Sequence, residues 1–101
     1  MKKEIKVHLL AFDSKQRVRA VEIDYHDGMS EGEILNATFE WGQNDFQPQN
    51  MPSVSAGDVI ELDDGKKVLI CAVGFKEMTE AEFVDYRGLT SVERAFKGFE
   101  I

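Results

Sequence analysis

Asp24, His26 and Asp27 are the residues best suited to holding a metal ion: two carboxylates and an imidazole within four positions. Such groups ligate divalent transition ions. They fall where a strand is expected to end, so a solvated turn accounts for them, and no second histidine or cysteine group completes the set. Asp58, Glu61, Asp63 and Asp64 form a second acidic group. A calcium loop sets alternating oxygen ligands around a glycine with a bidentate acid further on. Here Lys66 and Lys67 follow at once, which suits a charged hairpin tip better. No metal and no other cofactor is implied.

Nucleophilic chemistry fares no better. Cys71 lies in the most apolar run of the chain, between Ile70 and Ala72, with no base beside it. A reactive thiol needs a partly exposed, electropositive setting, so Cys71 reads as a buried structural residue. His8 has no evident partner in sequence. Gly28, Gly32, Gly42 and Gly57 are each isolated and belong to turns or caps, not to a phosphate-binding loop. The expectation is that the chain is not an enzyme. Trp41-Gly42-Gln43-Asn44-Asp45-Phe46 is different, because it sets the only tryptophan and a phenylalanine among hydrogen-bonding side chains. Aromatic residues beside a loop are frequent anchors of binding surfaces, although both rings could equally close the core at a helix end.

These residues must be positioned by elements that the pattern makes plain. Residues 5–12 alternate, with Ile5, Val7, Leu9 and Ala11 on one side and Lys6, His8, Leu10 and Phe12 on the other. A turn at residues 13–16 leads to a second alternating run, residues 17–25, with Arg17, Arg19, Val21, Ile23 and Tyr25 together; the two runs predict a β-hairpin. Ser30 with Glu33 is a capping box for a helix whose buried stripe is Ile34, Leu35, Thr38 and Phe39 and whose stop is Gly42. Residues 43–52 read as a loop, and Val54 as the start of a further strand. Residues 59–62 and 67–73 flank an Asp63-Asp64-Gly65-Lys66 turn. The second of these runs is apolar on both faces, as in a sheet centre. Gly74 ends it. Thr79 with Glu82 and Thr90 with Glu93 are two more capping boxes, the last helix closing at Gly98, with Phe99 and Ile101 packing back.

Charge sets the class of partner. The 101 residues carry a formal charge of -7, and residues 20–65 hold eleven acids without one lysine or arginine. Bases are confined to residues 2–19 and 66–97. Such a field repels phosphate backbones and attracts basic protein surfaces, so direct nucleic-acid binding is not expected. A chain of this length buries roughly 60–70% of its unfolded surface. The single cysteine excludes an internal disulfide. Residues 7–12 are broken by His8 and ended by Asp13, so no signal-type apolar region is read, and no stretch approaches a membrane span. The cytoplasm is the expected compartment.

Pro52-Ser53-Val54-Ser55-Ala56-Gly57-Asp58-Val59-Ile60-Glu61-Leu62, followed by Asp64-Gly65 and Val73-Gly74-Phe75, resembles the closing portion of YodL-like domains. These are small domains of poorly known function in bacterial, phage and mobile-element proteins. Residues 30–50 occupy the place such domains give to a helical segment. Residues 55–62 with Thr79-Glu80-Ala81-Glu82-Phe83 are also similar to PUA and ASCH β-barrels, whose likeness would imply RNA or nucleotide binding; the basic surface that RNA requires is absent from the sequence. Neither resemblance carries over catalytic residues.

The expectation is therefore a single α+β domain over residues 1–101. Its sheet would have four or five strands, mostly antiparallel and built from two hairpins, with about three helices on one face in the order ββ-α-(β)ββ-α-α. Its role would be that of an accessory or regulatory domain binding a protein partner, with a basic or nucleic-acid-binding protein as the candidate. Trp41 and Phe46 would be the anchors, with Asp24, Asp27, Glu31, Glu33 and Asp45 around them.

Overall fold

The computed structural model describes residues 1–11, 16–43, 53–89 and 93–94. Its elements run β1 (Lys2–His8), β2 (Val18–Asp24), α1 (Glu31–Trp41), β3 (Val59–Glu61), β4 (Lys67–Ile70), β5 (Phe75–Met78) and α2 (Glu80–Arg87). The strands form one open antiparallel sheet in the order β2-β1-β3-β4-β5. The barrel that a PUA or ASCH likeness implies is not formed by the described residues. Among these residues there are two helices; Thr90 and Gly98 of the third proposed helix lie outside them, as do Phe99, Ile101 and most of the 43–52 loop.

The β1–β2 hairpin follows the alternation. Ile5, Val7 and Leu9 are buried from β1, and Arg19, Val21 and Ile23 from β2. Arg19 thus goes in with its apolar neighbours, and burial pushes its guanidinium pKa down. The chain then leaves the β2 edge, forms α1, and returns to place β3 beside β1, at the middle of the sheet.

Four expectations need correcting. Val54 starts no strand: its N–H donates to Gly42 O at 3.2 Å and its carbonyl accepts Gln43 Nε2 at 2.9 Å, so it closes the end of α1. Gly42 is required there by space, since a Cβ would overlap Val54 and lie 2.9 Å from Thr38 O. The fifth strand is instead β5, which follows Gly74 directly, so β4 stops at Ile70 and Val73 is 82% exposed at the hairpin tip.

The helices also cover opposite faces, not one. Ile60, Val68 and Ile70 join β1, β2 and α1 in one cluster, while Val59, Leu69 and Cys71 join Leu10 and the Phe83 and Tyr86 of α2 in another. Successive strand residues point to opposite faces, so double coverage is what the two-sided apolar pattern of β4 reflects. On the α2 side, the β1–β2 half is left open, and Glu4, Lys6, Ala20, Glu22 and Asp24 are exposed there.

The α1 stripe is shifted from its expected place. Leu35 and Thr38 are buried, with Ile34, Ala37 and Trp41 packed at the margin. Phe39 lies beyond that margin and is 38% exposed.

Candidate functional site

The proposed anchors and acids gather in part. Asp24 ends β2, Asp27 lies in the β2–α1 connection and Glu31 and Glu33 stand in the first turn of α1, whereas Trp41 ends the helix, about 15 Å beyond Glu31 along its axis at 1.5 Å per residue. Asp45 and Phe46 lie outside the described residues. Trp41 is half-buried against the α1-side core.

Most of these acids have local partners. Asp24 pairs with Lys2 at 2.6 Å, its register partner across the β1–β2 ladder. Glu31 accepts from Lys66 Nζ at 2.8 Å. Glu33 accepts the Ser30 N–H at 3.2 Å while its own N–H donates to Ser30 Oγ, and this hydrogen bonding holds its carboxyl below the usual range. Asp27 is exposed in the turn after β2, where His26 Nδ1 donates to its backbone carbonyl at 3.1 Å. The base-free stretch is therefore not a uniform negative field, because the fold brings Lys2 and Lys3 of β1 and Lys66 of the β3–β4 turn onto it.

The second acidic group disperses. Asp58 is 1% exposed and accepts the N–H groups of Leu10, Ala11 and Ser55 at 3.0, 2.9 and 2.8 Å. It fixes the end of β1 against the chain entering β3. Gly57 beside it has φ +98°, and a Cβ there would lie 3.0 Å from that of Ala11, so glycine is needed. Asp63 pairs with Lys3, whose ammonium also stands 4.5 Å from the Tyr25 ring centre, and Asp64 accepts the Lys66 N–H at 3.0 Å. A shallow hollow of about 280 Å³ opens here, lined by Ile5, Ile34 and Leu62 and by the charged Lys3, Glu31 and Asp63. Of its three acids, Asp63 pairs with Lys3, Glu31 with Lys66 Nζ, and Asp64 accepts the Lys66 N–H.

One pairing was not visible in sequence. His8 Nε2 donates to Glu61 Oε1 at 2.9 Å, across the β1–β3 ladder and 53 residues away. Only the register, which sets His8 beside Val59 and Lys6 beside Glu61, brings them together. The bond holds Glu61 below the usual carboxylate range against the opposing effect of burial, and Lys67 and Lys6 act the same way. The His8 ring meets Phe83 edge-on at 5.0 Å. Hydrogen-bonded imidazole and carboxylate can move a proton, but the one described thiol, Cys71, is buried in the α2-side cluster, and burial raises its pKa. Among the described residues no three His, Cys, Asp or Glu side chains are grouped to hold a metal ion, and no helix is long and apolar enough to cross a membrane.

Comparison with known proteins returns no family model, no curated protein and no solved structure that matches the chain.

Proposed function

We propose that this is a non-enzymatic accessory or regulatory domain that docks a basic protein surface on the outward face of α1, acting in the cytoplasm. The observation that carries the reading is an exposed ring on a helix without cations. Glu33, Asn36 and Glu40 follow one another at helical spacing and are all exposed, Phe39 lies alongside, and α1 contains no lysine or arginine. Asp27 lies in the connection just ahead of this helix, whereas Glu31, one turn before the buried Leu35 and paired with Lys66, stands apart from the face. Phe39 supplies the open aromatic contact, while Trp41, two residues on and across the helix, packs against the core and is not part of this face. An exposed aromatic on a helix whose outward charges are all acidic suits a partner with an apolar spot beside lysine or arginine. The YodL-like likeness fits an accessory role of this kind in a phage or mobile element.

Capture from host lysate tests the reading. The bound partner falls away between about 0.05 and 0.5 M salt, as screened charge pairs do, and is lost at both when Phe39→Ser is combined with Glu40→Lys. Capture indifferent to salt and to both substitutions contradicts the reading, as does a clear electrophoretic shift of mixed DNA or RNA at physiological salt.

A further inference from the structure

The helix on the other face is attached in a different manner. α2 has eight residues and buries only Phe83 and Tyr86. A helix this short does not persist without tertiary support. Beneath it lie Leu10, Val59, Leu69 and Cys71.

What fastens it is mostly polar. At its start Lys67 Nζ stands 3.2 Å from Glu80 Oε2 in an exposed pair. Phe83 sits between the His8 ring edge and the Lys67 ammonium, 5.2 Å from its ring centre. Toward its end the Tyr86 hydroxyl donates to Gly57 O at 2.6 Å and faces Arg94 O at 3.2 Å. Arg94, itself 5% exposed, donates from Nε to Leu10 O at 2.6 Å and from Nη1 to Leu89 O. Two side chains thus tie the helix end to the ends of β1 and of the segment entering β3. The helix is bounded by its Thr79 cap and by Gly88.

We propose that α2 is a latched lid: it leaves the sheet as a unit between Thr79 and Gly88 while the α1 side stays folded, with Tyr86 and Arg94 as the latch. Opening uncovers an apolar sheet face and the Cys71 thiol, which is otherwise 5% exposed. Local openings of this kind are drawn from the parts of a fold with the fewest buried apolar contacts.

Thiol labelling in native buffer with an aromatic disulfide reagent tests this. Cys71 of the wild-type chain is compared with an α1-side probe, Val68→Cys in a Cys71→Ala background. Cys71 is expected to label about tenfold faster or more, at a rate insensitive to low urea, because its opening exposes little surface. Tyr86→Phe and Arg94→Met each accelerate Cys71 labelling severalfold. Leu35→Ala, which weakens only the α1 side, accelerates the Val68→Cys probe and leaves Cys71 unchanged. The proposal is overturned if Leu35→Ala accelerates both probes equally, if both rates rise with urea at one slope, or if neither latch substitution changes Cys71.

Discussion

Among the described residues, α1 contributes on one side of the sheet to a cluster of ten buried residues drawn also from the strands β1, β2, β3 and β4, the end of β1 and the segment around Val54; on the other, two of a cluster of six come from α2. The first side is mainly apolar packing, with Arg19 and Thr38 buried beside it, and each fully buried aliphatic residue contributes on the order of 1.5–3 kcal/mol. The second is narrower, and it depends on hydroxyl, guanidinium and carbonyl groups meeting at the helix end. Apolar packing is spread over many residues and gives way as a whole, so weakening it is felt in global unfolding. A polar tie concentrates its effect in a few atoms, and breaking one strands its partners. The same sheet therefore carries a firm face, whose helix presents the proposed docking surface, and a face that can be released locally.

Asp58→Ala should have the largest effect, because it breaks what the two faces share. Three backbone N–H groups lose their common acceptor, two of them on residues leaving β1. A loss of about 3 kcal/mol or more is expected in urea denaturation, with both helices melting together. Next, Leu35→Ala opens a cavity in the larger cluster and should cost about 3 kcal/mol of global stability. Tyr86→Phe, which removes a hydroxyl bonded to Gly57 O, should cost about 1–2 kcal/mol. Equal costs for the two would erase the contrast drawn between the faces.

The two caps give the smallest and most symmetrical test. Ser30 with Glu33 and Thr79 with Glu82 form matching boxes at the starts of α1 and α2. Removing either hydroxyl, by Ser30→Ala or Thr79→Ala, should cost about 1 kcal/mol. The backbone and side-chain hydrogen bonds of the boxes hold both glutamates below their ordinary value of 4.5. A carboxyl depressed in the folded state adds stability that is present above that ordinary value and is lost as the pH falls through the depressed one. Each cap substitution should therefore flatten the acid limb of a stability-against-pH profile. An unchanged limb in both variants would mean that the boxes do not couple to protonation.

How much of this could be read from the residues depends on the range of the interaction involved. The alternation of Val21 and Ile23, the boxes at Ser30 and Thr79, and the Asp64-Gly65 turn, with Gly65 at φ +85°, are local, and each formed as the pattern indicated. β5 escaped notice because four residues between Gly74 and Thr79, with Phe75 and Met78 their only apolar members, are too short to show a period. The opposite placement of the helices was implicit in the two-sided β4, yet it needs the path of the chain between elements to be known. The acidic site suffered most. Lys2 on Asp24, Lys3 on Asp63 and Lys66 on Glu31 are long-range meetings set by strand register and helix position, and they pair off three of the eleven acids in a stretch that contains no base of its own.

Native-state hydrogen exchange tests the difference between the faces most directly. The amides of Thr38 and Phe39 in α1 should exchange only through global unfolding, with a steep dependence on low urea. Those of Tyr86 and Arg87 in α2 should exchange at a lower free energy that urea barely changes. A single free energy and a single slope for both helices would contradict the account.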